Sequence, residues 1–184
     1  MNRLHKLRKT RFALSLVCLL YTSAREFFNG TSDNAFTPSG TMTRAMLVTV
    51  LHRMDGEPDA AKASFPDVAE GKWFSKAVAW ASANGIASGY ANGNFGPNDP
   101  ITREQLAVIF YQYANYLKME TPSEGMAIHE FKDANKVSTW ADQAMGWAIG
   151  QGLITGKPGN LLDPAGSATR AEVAVIIERF VEMM

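Results

Sequence analysis

Thr169-Arg170-Ala171-Glu172 has two counterparts earlier in the chain, Thr43-Arg44-Ala45-Met46 and Thr102-Arg103-Glu104-Gln105. Six residues before each Arg stands a proline: Pro38, Pro97 and Pro164. Two before that comes an apolar residue, Phe36, Phe95 or Leu162, and fourteen before the Arg a glycine, Gly30, Gly89 or Gly156. Four positions kept in register three times define an internal repeat. Thr102-x-x-Gln105 and Thr169-x-x-Glu172 have the capping-box pattern, with Thr closing the helix start and the Gln or Glu reaching back. Helices are therefore predicted over 103–116 and 170–182, with a third equivalent over 44–54.

Each predicted helix carries one apolar stripe: Leu47, Val50, Leu51 and Met54; Leu106, Ile109, Phe110 and Tyr113; Val173, Ile176, Ile177 and Phe180. The helical period of these positions places them on one face. Two further helices are predicted over 73–84 and 140–151. There Trp73, Ala77, Trp80, Ala81 and Asn84 match Trp140, Ala144, Trp147, Ala148 and Gln151 one for one. Gly85 and Gly152 stand where a glycine ends a helix. Three equivalent amphipathic helices bury their stripes most economically on a common axis. The expected fold is all-α, with pseudo-threefold helix–loop–helix repeats around a central three-helix bundle and the Trp helices outside it.

The full unit occurs twice. One copy runs Phe65-Pro66-Asp67-Val68, Trp73, Trp80, Gly85-Ile86-Ala87-Ser88-Gly89, Phe95, Pro97 and Ile101-Thr102-Arg103. The other runs Phe131-Lys132-Asp133, Trp140, Trp147, Gly152-Leu153-Ile154-Thr155-Gly156, Leu162, Pro164 and Thr169-Arg170-Ala171-Glu172. This pattern resembles the S-layer homology family, whose signature is F-x-D-V, W, G-I-x-x-G, F-x-P and I-T-R-A-E in order. The resemblance covers roughly Phe28 to Met184. The chain departs from the pattern in places: Met46 stands at the Glu position of the first repeat, Glu104 and Gln105 end the second motif, and no Trp helix precedes Gly30. The expected division is a truncated first repeat over 25–54, a linker over 55–64, a second repeat over 65–116, a linker over 117–130 and a third repeat over 131–184.

Residues 1–24 stand apart. Arg3, Lys6, Arg8, Lys9 and Arg11 precede the apolar run from Phe12 to Leu20, with Thr22-Ser23-Ala24 as a cleavage site, which is the layout of a secretory signal peptide. The second reading is a joining artefact, because Cys18 to Ser23 can be encoded by the transposon end TGT CTC TTA TAC ACA TCT. On that reading a domain upstream of the first repeat is missing. If residues 12–27 form a helix, it is expected to cover the flank left open by the absent Trp helix.

Bulk composition narrows the function. The 184 residues carry 18 Lys and Arg against 18 Asp and Glu, so no basic excess points to nucleic acid or an acidic membrane. One cysteine excludes a disulfide framework and a cysteine-based zinc site. No apolar run is long enough for a membrane-spanning helix. No motif calls for a cofactor or metal: Asn92, Asn94, Asn98 and Asp99 lack the spacing and the closing Glu of a calcium loop, and no nucleophile or phosphate-loop motif is present.

The candidate site residues lie at the repeated positions. Arg44, Arg103 and Arg170 fall at the first helical position, where a cation opposes the helix dipole. Either each helps free backbone N–H groups make an anion site, or it forms a structural ion pair, for example to Asp67 or Asp133. Trp73 and Trp140 stack on a sugar face or belong to the core, and Trp80 and Trp147 read as core. Gly89 and Gly156 permit a close ligand approach or a positive φ. The resemblance implies a non-catalytic, extracellular module that binds pyruvylated secondary cell-wall polysaccharide, linked to peptidoglycan, in grooves between repeats. It carries Arg103, Arg170, Arg44, Trp73, Trp140, Gly89 and Gly156 over as carbohydrate-binding residues. Arg44 is expected to matter least, because the wall beside it is expected to be the missing one. The alternative function is a helical protein–protein interaction scaffold of a surface protein.

Overall fold

The computed structural model describes residues 27–28, 37–62, 65–122 and 127–184. Five α-helices lie among them: α1 (Arg44–Met54), α2 (Ser75–Ala83), α3 (Arg103–Tyr116), α4 (Asp142–Gly150) and α5 (Arg170–Met183). Two short 3₁₀ turns, Ala127–Glu130 and Ala134–Lys136, precede α4. No β-strand occurs among the described residues, so the fold is all-α as expected.

The starts of α1, α3 and α5 agree with the sequence to the residue, whereas α2 and α4 begin at Ser75 and Asp142, two residues after the expected 73 and 140. Thr43, Thr102 and Thr169 are the N-caps of α1, α3 and α5, each in an extended conformation with its hydroxyl accepting from the backbone N–H three residues on. The capping box is complete at α3 and α5, where Gln105 and Glu172 accept from the N-cap N–H. The ends of α2 and α4 are Schellman turns. Gly85 and Gly152 both take φ +67, a conformation that costs glycine little. Ile86 N–H then reaches Ala81 C=O at 2.8 Å, and Leu153 N–H reaches Ala148 C=O at 2.8 Å.

The repeats meet on an axis, and backbone hydrogen bonds close around it. Met42 N–H donates to Ala168 C=O at 2.9 Å, Ala168 N–H to Ile101 C=O at 3.0 Å, and Ile101 N–H to Met42 C=O at 2.9 Å. These three residues immediately precede the three N-cap threonines, and all are buried. Each therefore satisfies one donor and one acceptor away from water. The triangle sets the starts of α1, α3 and α5 side by side at the axis. Below it their stripes share one hydrophobic core, in which Phe180 of α5 packs on Phe110 of α3 at 5.3 Å and on Tyr113 at 5.5 Å between ring centroids.

The outer helices dock in one rotational sense. Helix α2 packs on α1, with Trp80 against His52 at 5.3 Å, and α4 packs on α3, with Trp147 against Tyr111 at 5.5 Å. Trp80 and Trp147 are core residues, as expected. On α5 the position of His52 and Tyr111 holds Glu178, and Val175 stays exposed although its counterpart Thr49 is buried and Val108 half-buried. Phe27 and Phe28 are buried in the common core. The expected covering helix over 12–27 lies, Phe27 apart, outside the described residues, as do Gly30, Phe36 and residues 1–24.

Candidate functional site

Each helix-start arginine reaches into the loop of another repeat. Arg44 Nε donates to Phe95 C=O at 2.9 Å and its Nη2 to Ser88 C=O at 2.7 Å. Its guanidinium also lies over the rings of Tyr90 and Phe95, 4.7 and 4.8 Å from their centroids. Arg103 repeats the pattern one unit on, with Nε to Leu162 C=O and Nη2 to Thr155 C=O, both at 2.7 Å. Arg170 lies over the Phe28 ring at 5.6 Å and places Nη1 4.0 Å from Met46 Sδ. All three arginines are 4% exposed. Burial pushes their pKa values down, an effect that Glu172, Asp163 and Asp133 oppose at Arg103. The guanidinium remains charged regardless.

The backbone N–H groups at these helix starts are not free, contrary to the expected anion cradle. Arg44 N–H donates to Asp99 C=O and Ala45 N–H to Pro97 C=O; Arg103 and Glu104 donate to Gly166 and Pro164; Arg170 and Ala171 donate to Gly40 and Pro38. The Thr hydroxyl takes the third N–H each time. Donors that a helix normally leaves open are thus used to dock the next repeat's loop. At Arg44 and Arg103 the guanidinium beside them grips carbonyls of that same loop, which offsets the dipole cost of a cation at this end.

Two further expectations change. The arginines do not pair with Asp67 or Asp133. Those carboxylates instead hold the loops from the far side: Asp67 accepts the N–H groups of Phe95 and Gly96 at 2.8 and 2.7 Å, and Asp133 those of Leu162 and Asp163 at 2.7 and 2.9 Å. The fixed spacing from Phe-x-Asp to the loop was the signal for this clamp. Arg103 Nη1 pairs instead with Glu172 Oε1 at 3.6 Å, the Glu of the Thr-Arg-Ala-Glu motif. Arg44, moreover, does not face the incomplete repeat. It reaches into the complete second one, and Arg170 is the arginine whose helix start docks on the first repeat.

Gly89 and Gly156 do not have positive φ. Each lies beneath an aromatic ring. A Cβ on Gly89 would come within 2.6 Å of Phe65 Cε1 and 2.8 Å of Asn94 C=O, and one on Gly156 would collide with Phe131. The absent side chain therefore makes room for the Phe of Phe-x-Asp.

The two Trp residues at the outer-helix starts are the exception to all this burial. Trp73 is 60% exposed and Trp140 58%. Trp73 lines a groove of about 610 Å³ between α1 and α2, together with Thr49, His52 and Arg53 of α1. Arg44 and Gly89 do not line it. On the other side of the molecule, Glu104 on α3 accepts from Ser138 N–H at 3.0 Å and from its hydroxyl at 3.2 Å, two residues before Trp140. No cluster of metal-ligating side chains occurs among the described residues, and no described helix is long and apolar enough to cross a membrane.

A closed pseudo-threefold ring of helical repeats, with outward-facing Trp residues at matched positions, defines the class as a repeat-built helical module. The model of the S-layer homology domain matches residues 20–45, 64–107 and 130–174, and the chain belongs to that family. It is a cell-surface anchoring module. It is 34% identical over 161 residues to the exoglucanase XynX of Acetivibrio thermocellus, a match covering 87% of this chain and 15% of that protein. It is 31% identical over 159 residues to the surface-layer 125 kDa protein of Lysinibacillus sphaericus, covering 83% and 13%. It is 28% identical over 162 residues to the cellulosome-anchoring protein of Acetivibrio thermocellus, covering 85% and 35%. The chain spans a minority of the length of each of these relatives.

Proposed function

We propose that this module attaches a surface protein to the cell wall by binding an acidic secondary cell-wall polysaccharide, without catalysing a reaction. The observation that carries this reading is the matched exposure of Trp73 and Trp140 in a chain that buries its other two tryptophans at the next helical positions. Large aromatic side chains displayed at equivalent points offer flat platforms for sugar rings. The names of the matched surface-layer and cellulosome-anchoring relatives support the same reading. A protein-binding scaffold would instead display clustered apolar anchors, and besides these two tryptophans only Leu161 and Val175 are large, apolar and exposed among the described residues.

In this proposal Trp73 and Trp140 contact the glycan. Arg44 and Arg103 contribute by fixing the loops 88–99 and 155–166, with Gly89 and Gly156 seating Phe65 and Phe131 in the same walls. Arg170 does the same toward residues 37–40. The test is retention of the purified chain on cell-wall sacculi before and after the secondary polymer is stripped off. Retention that is lost on stripping, and lost again in Trp73→Ala/Trp140→Ala, is expected. Equal retention on stripped sacculi refutes the proposal.

A further inference from the structure

The two grooves that carry an exposed Trp are equivalent by fold but opposite in charge. Between α1 and α2, Lys62 pairs with Glu70 at 2.8 Å, and Arg53 pairs with Glu57 at 3.8 Å. That leaves Lys72 and Lys76, which flank Trp73, are exposed, and have no ion-pair partner among the described residues. Taken position by position, the α3–α4 groove has Thr139 for Lys72, Gln143 for Lys76 and Gln112 for Arg53. It also has Glu104 for Ala45 and Asp142 for Ser75. Gln143 is already engaged, donating to Tyr111 Oη at 2.8 Å, and both Glu104 oxygens are taken by Ser138. The α1–α2 groove is thus lined by Arg53, Lys62, Lys72 and Lys76 against Glu57 and Glu70, which leaves two cations over, whereas the matched α3–α4 positions carry Glu104 and Asp142 in place of Ala45 and Ser75 and neither lysine.

We propose that the α1–α2 groove is the subsite that accepts a carboxylate-bearing sugar, that Lys72 and Lys76 beside Trp73 supply the selecting charge, and that the α3–α4 groove rejects anions. This rests on the glycan-binding reading above and adds to it which groove takes the charged residue of the polymer and by which side chains. The helix-start arginines are poor candidates for that role, because Nε and Nη2 of Arg44 and Arg103 are already committed to loop carbonyls. The lysines have flexible stems, are exposed, and stand one residue before and three after Trp73 in the lining of the same groove. A carboxylate on a ring stacked on Trp73 would share the groove that these two lysines line. At Trp140 the same carboxylate would meet Glu104 and Asp142, and like charges brought together repel.

The tryptophans themselves report on the two grooves separately. The chain has four, and Trp80 and Trp147 are buried references. The experiment follows the indole N–H resonances of the ¹⁵N-labelled chain during titration with a methyl hexopyranoside carrying a 4,6-linked pyruvate ketal, and with its neutral ethylidene analogue. Retention on sacculi is measured in parallel. The Trp73 signal is expected to shift saturably with the carboxylated probe and Trp140 to stay in place. Lys72→Gln/Lys76→Gln should weaken the Trp73 response about 10-fold, taking each exposed pair as about 2- to 5-fold. Thr139→Lys/Gln143→Lys should make Trp140 respond. All four positions are exposed, so these variants should fold as the parent does. Equal shifts at both tryptophans, or an unchanged Trp73 affinity without the two lysines, overturn the inference. Retention on sacculi with neither indole moving overturns it too, while leaving the glycan-binding reading in place. Absence of retention rejects that reading and the inference with it.

Discussion

Replacing Arg103 with alanine should unfold the module more readily before it affects any ligand. The side chain is 4% exposed and makes two charge-assisted hydrogen bonds at 2.7 Å, to Leu162 C=O and Thr155 C=O. A hydrogen bond to a charged group contributes about 1.5–3 kcal/mol, and alanine leaves both carbonyls without this donor. The partly exposed pair with Glu172 at 3.6 Å adds little, about 0–1 kcal/mol. The expected loss is about 3–5 kcal/mol, in the range for breaking a buried charged contact. With a urea m-value of about 2 kcal/mol/M, the midpoint should fall by about 1.5–2.5 M with little change in m. Arg103→Lys should restore only part of this, since one ammonium cannot span two carbonyls in the fixed geometry of the fork. Urea unfolding followed by far-UV circular dichroism checks the shift, with retention on sacculi measured below the transition. A midpoint within about 0.3 M of the parent, together with lost retention, would show that the arginine is a ligand rather than a clamp and refute the reasoning.

Trp73→Ala and Trp140→Ala should leave the urea midpoint within about 0.3 M, since more than half of each side chain already faces water. Each should reduce retention on sacculi. Gly89→Ala should cost about 1–3 kcal/mol through its collision with Phe65, and Gly156→Ala a similar amount through Phe131, both read as lowered urea midpoints. Asp133 predicts an acid limb. Burial opposes its ionisation, but the N–H donors of Leu162 and Asp163 outweigh that and hold its carboxyl below the ordinary value. Its contribution is therefore complete above the unfolded-chain value of about 3.9 and is lost as pH falls through the lower folded value. Asp133→Asn should flatten that limb in a pH series of melting temperatures. Ala168→Pro removes the N–H that Ile101 C=O accepts and should cost about 3 kcal/mol or more, again read in urea.

Local chemistry was the part of this fold most legible in the sequence. The Thr N-caps, the Gly85 and Gly152 turns and the apolar stripes are properties of contiguous residues, and the Thr caps gave the starts of α1, α3 and α5 correct to the residue. The pseudo-threefold axis was legible because the same stripe occurs three times. What the sequence did not disclose is where each terminus sends its donors. Arg44 and Phe95 are 51 positions apart, and nothing local to Thr43-Arg44 shows that the N–H groups there are already used. The exposure of Trp73 was equally hidden, because Trp73 and Trp80 fall on one helical stripe. The divergence comes from the end of the helix: Trp73 lies ahead of the first residue of α2, beyond the surface that α1 covers, and Trp80 lies within it. The clamp by Asp67 and Asp133 sits between these cases, with its residue types and spacing visible but its N–H donors on a loop 28 to 30 residues on.

The backbone triangle of Met42, Ile101 and Ala168 has a consequence for how the chain acquires its structure. In an open solenoid a unit can form as soon as its neighbour has, and assembly spreads outward. Here Met42 needs the carbonyl of Ala168, so the segment nearest the start cannot complete its bonding until the last unit is in place. Formation should be a single cooperative event gated by a loop closure of more than 120 residues, an entropic barrier that grows only slowly with length but precedes any reward. A chain emerging in order would stay unclosed until the whole ring had emerged. Because the ring has no intrinsic first member, cutting it within the 55–64 linker and rejoining its ends elsewhere should preserve the same closed structure, whereas deleting any one unit should abolish it.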